Sequence, residues 1–274
     1  MIHFSRSWRA VAHTVCIVAG LSMLLPLLLA FGTSFKPYNE VSGALPWPAV
    51  PTLANYIRVF DDLPFGRYLW NSFATTTLRV TGQLVLAVLA AYAFACWQFR
   101  GRDALFLVVL GAMMIPHSLT MVPLYIMVAQ LGWFDTYTAL IVPNLAAPFA
   151  VFFLRQHMLS FPKELIDAAE IDGAGSLRVL WYVMLPNLRP ALAALSIILF
   201  LECWNEYFWP LIVTETEASM TAQIGLRKFL NEELGNEYGP LMAAATLVSL
   251  PPIVLFFLAQ RRVMETFVAS GLKG

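Results

Sequence analysis

The sequence predicts an all-α membrane protein, with six transmembrane helices and one polar helix–turn–helix between the fourth and the fifth. Three observations predict it. Of the 274 residues, 59% are hydrophobic and 12% charged, about half the charge of an average soluble domain, so the natural solvent for such a surface is a bilayer. Six apolar runs, at 10–31, 72–97, 105–130, 137–155, 190–213 and 239–260, reach or approach the ~20 helical residues that cross a ~30 Å hydrocarbon core. None shows the alternation of a barrel strand. The longest polar interruption on one side of the chain is 160–186, and it carries the signals of two helices joined by a glycine turn.

Composition excludes several classes. A net charge of zero gives no footprint for nucleic acid. Cys16, Cys96 and Cys203 lie in apolar runs and read as small core residues rather than a disulfide framework. The four histidines, at 3, 13, 117 and 157, have no metal-site spacing. No Gly-x4-Gly-Lys-Ser/Thr loop is present, so a nucleotide triphosphate has no cradle in this chain.

The first run, Ala10–Phe31, is 22 residues long. That exceeds the roughly 7–15 residues of a signal-peptide core, and a retained span is expected. Orientation follows Lys and Arg. With the N-terminus inside, the inner segments hold eleven bases (Arg6, Arg9, Arg100, Arg102, Arg155, Lys163, Arg178, Arg189, Arg261, Arg262, Lys273) and the outer segments five (Lys36, Arg58, Arg67, Arg227, Lys228). Both termini and the 160–186 loop are therefore expected in the cytoplasm.

Residues 32–70 are rich in prolines and aromatics, which fits an interfacial belt with a short helix near Leu53–Phe60. Span two opens at Asn71-Ser72 and carries Arg79, a cation that is expected to snorkel or to pair with an acid. The stripe Ala87, Ala90, Ala91, Ala95 allows close helix approach. Span three is expected to break at Pro116 and Pro123, with His117 and Ser118 between them, and span four is softened by Pro143, Asn144 and Pro148. Backbone freed by such prolines must face protein or a water-filled cavity. Span five ends in Glu202-Cys-Trp204-Asn205-Glu206-Tyr207-Phe208-Trp209-Pro210. Polar groups at that depth face protein or water. An aromatic, amide and acid cluster also suits a sugar, with a ring face to stack on and bidentate hydrogen bonding. Asn144, Glu202, Trp204, Asn205, Glu206, Tyr207 and Arg79 are the candidates for a substrate path, weighed against plain belt and packing roles. The segment 214–238 is acidic, with Glu215, Glu217, Glu232, Glu233 and Glu237, and long enough to touch a partner.

In the loop, Ser160 is placed as the N-cap of a helix with Pro162 in its first turn, Gly173 as its left-handed end, Ser176 as the cap of a second helix and Pro186 as its stop. Asp167-Ala168-Ala169, Gly173, Val183 and Leu185-Pro186 stand at the spacing of the loop pattern of ABC-importer membrane subunits. Asp167 takes the place of that pattern's Glu, with a shorter arm and the same charge. Asn71-Ser72, Ala91-Tyr92-Ala93, Trp204 to Pro210 and the Gly271–Gly274 tail are also similar to one group. The whole chain resembles the smaller, six-span permease of carbohydrate importers of the maltose-transporter type.

The resemblance implies a single permease domain over 1–274, whose loop docks as a coupling helix in a cleft of an ATP-binding subunit. Asp167, Ala168, Ala169, Glu170, Asp172, Gly173, Ala174, Leu185 and Pro186 would form the docking surface. It implies as partners a second homologous permease, two ATP-binding subunits and an extracytoplasmic solute-binding protein, in a bacterial cytoplasmic membrane. ATP and Mg would sit on the ATPase, with no cofactor in this chain. The expected solute is a sugar, with glycerol 3-phosphate or a glycerophosphodiester as the alternative and a secondary transporter as a distant one. An intramembrane enzyme would have to use Glu202 and Glu206, without any zinc-binding His-Glu-x-x-His pattern.

Overall fold

A computed structural model of the chain describes residues 6–43, 45–230 and 237–271. Lys273, with the rest of the 272–274 tail, and Glu232 and Glu233 of the acidic segment lie outside the described residues. Every regular element among the described residues is a helix. The chain divides into two packed units, Met1–Gly66 with Gly225–Leu250, and Arg67–Ile224 with Pro251–Gly274.

In the first unit, α1 (Arg6–Ser34) runs through Pro26 without interruption, and its side chains from Val11 to Leu29 are exposed. Cys16, expected as a core residue, is among them. An apolar helix with no protein over it needs lipid or another chain as its environment. Its end is tied down by α2 (Ala54–Asp62), the short helix expected there. Ser34 Oγ meets Tyr56 Oη at 2.8 Å. Buried Asn55 donates from Nδ2 to the carbonyls of Ser34, at 2.9 Å, and Lys36, at 2.8 Å. Gly239 lies so close to the Asn55 side chain that a Cβ there would collide with its amide.

The second unit is built around α3 (Phe65–Cys96). It starts before Asn71, so the Asn71-Ser72 pair lies inside the helix rather than opening it. Its small-residue stripe does what close packing requires: Ala87 and Ala91 are buried against Leu154 and Met158 of α7 (Pro148–Leu159), Leu180 and Met184 of a π-helical turn (Val179–Met184), and Leu195 and Leu199 of α11 (Arg189–Trp204). A smaller cluster joins Val128 of α5 (His117–Gln130), Leu140 of α6 (Tyr137–Ile141) and Trp209 of α12 (Phe208–Val213). Trp209 Nε1 donates to the Ala139 carbonyl at 2.9 Å.

Among the described residues, three helical stretches are long and apolar enough to cross a membrane alone: Val11–Ser34, Phe65–Cys96 and Tyr238–Gln260, the last within α14 (Tyr238–Gly271). Three bent pairs reach that length together. These are α4 (Arg102–Met113) with α5, bent by 99°; Tyr137–Asn144 with α7, by 46°; and Ser176–Asn187 with α11, by 79°. Pro116 makes the first break, as expected. Pro123 does not; it lies inside α5. Span five was expected to run unbroken through 190–213. Instead α11 stops at Trp204 and α12 starts at Phe208, because Pro210 in the first turn of α12 has no N–H to continue the ladder backwards.

Candidate functional site

The 160–186 loop folds as two helices around a glycine, with its signals redistributed. Ser160 is not an N-cap. It closes α7, its Oγ donating to the His157 carbonyl at 2.8 Å, and Pro162 stands at the cap of α8 (Lys163–Ile171). Gly173 has φ of 79°. Its N–H donates to Glu170 O at 3.0 Å, and that of Ala174 to Ala169 O at 2.9 Å, the paired bonds of a Schellman motif. Gly175, rather than Ser176, caps α9 (Ser176–Arg178). Pro186 ends the second helix nearly as expected: the helical run Ser176–Asn187, through a π turn and α10 (Leu185–Asn187), stops one residue beyond it.

The loop presents two faces. Ala169, Ala174, Val183 and Leu185 pack onto the core beside α3, and Pro186 is half-buried. Asp167, Ala168, Glu170, Asp172 and Gly173 are exposed. So are Leu165, Ile171, Leu177, Trp181 and Tyr182, with Ile171 86% exposed. No described residue covers this mix of apolar side chains and acids. The loop is fastened to α3 by an anchor the sequence did not reveal. Buried Tyr92 places its Oη 2.9 Å from the Ser176 carbonyl and 3.0 Å from Ser176 Oγ, and Trp97 Nε1 donates to the same hydroxyl at 2.9 Å.

The substrate-path candidates gather around a cleft of about 950 Å³. It is bordered by three helix breaks, at 114–116, 145–147 and 205–207. Among its walls are Arg79, Gln83, His117, Pro143, Asn144, Pro148, Glu202, Asn205, Glu206 and Tyr207. Of the seven candidates, only Trp204 stands apart. It is buried, stacked on Phe200 with centroids 5.6 Å apart, and turned to a small polar niche with Ser72, Thr75, Thr76 and Thr221. Arg79 pairs through Nη1 with Glu206, which resolves how a span tolerates that cation. His117 Nε2 lies 3.5 Å from the other Glu206 oxygen. Gln83, one turn beyond Arg79, was not singled out from sequence. Its signal was a lone amide at i+4 from a buried charge, hence on the same helix face.

A second polar cluster fixes the segment after α12. Asp135, with φ of 60°, accepts from the backbone N–H groups of Glu215 (2.9 Å) and Thr216 (3.0 Å), from Thr216 Oγ1 (2.5 Å) and from Ser219 Oγ. Desolvation pushes its pKa up, but these bonds outweigh it and hold the carboxyl below the usual range. Asn71 donates to the carbonyls of Ala218 (3.0 Å) and Met220 (2.8 Å) and accepts from Tyr137 Oη at 2.5 Å. The Asn71-Ser72 pair is thus a fastening for 218–222, with Ser72 Oγ accepting the Ala222 N–H at 2.8 Å.

Long apolar helices, broken pairs around a polar cleft, and a loop with exposed acids and apolar side chains are the features of a class: membrane-embedded transport subunits. The chain belongs to the family of binding-protein-dependent transport system inner membrane components, whose pattern it matches over residues 83–265. It is 36% identical over 260 residues to the arabinooligosaccharides transport system permease protein AraQ of Halalkalibacterium halodurans, covering 92% of this chain and 91% of that one. It is 31% identical over 279 residues to the sn-glycerol-3-phosphate transport system permease protein UgpE of Yersinia pestis, covering 98% and 99%. Its fold matches a chain in the crystal structure of a bacterial ABC transporter that imports the acidic polysaccharide alginate, with a TM-score of 0.84, 24% identity and coverage of 95% and 99%.

Proposed function

We propose that this chain forms half of the translocation path of an ATP-driven sugar importer and is driven through its 160–186 loop. The observation that carries the driving role is the exposed face of that loop. Asp167, Glu170 and Asp172 stand beside Ala168, Ile171 and Gly173 on a rigid base that Ala169 and Leu185 pin to the core. Acids on a small-residue tip suit docking against bases on another subunit better than proton transfer. In this reading the three long helices and three bent pairs are six spans of one permease domain, with both termini and the loop in the cytoplasm. ATP and Mg sit on two partner ATPases, and a second permease completes the pore. When the ATPases close, the loop moves as a rigid body and biases the spans between inward- and outward-facing states.

The family description supports a solute-binding protein as a further partner. A sugar is favoured by the relation to AraQ over nearly the whole chain. Glycerol 3-phosphate is the second reading, on the relation to UgpE. The test is to screen the associated solute-binding protein by thermal shift, then to measure ATP-dependent uptake in vesicles holding the whole complex. A shift with neutral sugars and uptake that needs the ATPase support the proposal. A shift with glycerol phosphates alone moves the assignment to the second reading.

A further inference from the structure

The cleft wall carries two amides that the protein leaves half-used. Gln83 is 5% and Asn144 7% exposed. Gln83 Nε2 donates to the backbone carbonyl of Asn144 at 2.7 Å. A carbonyl only accepts, so this bond fixes which way the Gln83 amide points. Its Oε1 then has no partner among the described residues, and neither has Asn144 Nδ2. Buried polar atoms are nearly always paired, and these two lie side by side on a cavity wall. One is an acceptor and the other a donor, which is the complement of a sugar hydroxyl pair.

The charges of the same wall narrow the ligand. Arg79 is already paired with Glu206, and Glu206 also faces His117. The remaining charged side chain of the lining is Glu202. A phosphate or uronate entering here meets a repelling carboxylate and a cation that is engaged elsewhere, whereas a neutral polyol meets an unpaired donor and an unpaired acceptor just beneath the wall. We propose that Gln83 Oε1 and Asn144 Nδ2 form a hydroxyl-binding subsite for a neutral sugar in this subunit, so that this chain reads its solute as well as lining the path. This rests on the reading of the cleft as the solute path.

The experiment uses the complete complex in proteoliposomes, with permease partner, ATPases and solute-binding protein. Arabinotriose is the neutral probe and sn-glycerol 3-phosphate the anionic one, and the readout is solute moved per ATP hydrolysed. Gln83→Met removes the acceptor, and with it the Nε2 bond to the Asn144 carbonyl, at nearly constant volume; Asn144→Asp removes the donor at constant shape, keeps that backbone bond, and serves if the methionine variant fails to assemble. Each should lower arabinotriose moved per ATP about tenfold, the size of one lost hydrogen bond to substrate. Unchanged stoichiometry in both variants overturns the subsite alone. A wild-type complex that moves sn-glycerol 3-phosphate and not arabinotriose overturns the neutral-sugar assignment. One that moves neither overturns the path reading beneath it.

Discussion

Replacing Arg79 with methionine should cost far more than replacing Arg79 and Glu206 together. The side chains of the pair are only 14% and 16% exposed, Arg79 in a helix otherwise made for lipid and close packing and Glu206 in the break after α11. Two unit charges within 4 Å attract by about 4 kcal/mol at the effective dielectric of ~20 that suits such sites. Removing one partner strands the other, at about 3–5 kcal/mol, while a neutral pair of similar volume is close to neutral. His117, 3.5 Å from Glu206 Oε1 and itself half-exposed, is too loosely placed to substitute for the guanidinium. For a chain of this size 1 kcal/mol corresponds to about 2–4 °C in Tm. Arg79→Met in the detergent-purified complex should therefore melt roughly 6–20 °C below wild type. Arg79→Met with Glu206→Gln should recover most of that loss. Thermal melts of wild type, both single variants and the double variant give the coupling energy directly. A single variant that melts with wild type, or a double variant as unstable as Arg79→Met, would refute the compensated pair.

Three further outcomes follow from the same geometry. Asp135→Asn should lower Tm by about 3–12 °C, the loss of bonds to a charged acceptor of about 1.5–3 kcal/mol. Because the folded pKa of Asp135 lies below its unfolded value, its stabilisation is complete above about pH 4 and is lost as pH falls from there through the folded value, so the melting curves of the two proteins should converge in acid. Tyr92→Phe leaves Ser176 with the Trp97 bond alone; it should cost about 0.5–1.5 kcal/mol in melts and lower solute moved per ATP by loosening the loop from α3. Gly173→Val forces a β-branched residue to φ of 79°, a strain of about 1–3 kcal/mol, with open space around the added Cβ. The complex should still be recovered by size exclusion, while ATP-driven uptake collapses.

Much of the fold was legible because a bilayer imposes strong rules. Apolar run length located the long helices Val11–Ser34, Phe65–Cys96 and Tyr238–Gln260, and Gly173 announced its turn since few other residues tolerate that backbone. Local capping signals read less well. Ser160 can cap a following helix or close a preceding one, and the continuation of α7 to Leu159 settled it. Pro186 did mark the end of its helix to within one residue; the π turn at Val179–Met184 just before it was not read, since helical periodicity does not distinguish it. At the cleft, Arg79 and Glu206 were each visible as costly charges. Their pairing, across 127 positions of sequence, was not, because it depends on how α3 packs against the end of α11. Trp204 lies off the cleft, in a niche shared with Arg79 and Glu206, because a one-residue step around a helix end turns a side chain from cleft to core, and the break at 205–207 is where that phase is set.

The central claim is that this chain moves solute only when a separate ATPase drives it through the 160–186 loop. Uptake into vesicles holding the complete complex, with solute-binding protein outside loaded with the labelled sugar that stabilises it in the thermal-shift screen, tests it most directly. ATP inside the vesicles should give accumulation, and its omission, or loss of ATP hydrolysis in the partner subunits, should abolish it even under an imposed ion gradient. Uptake that persists without ATP and follows the ion gradient would contradict the account.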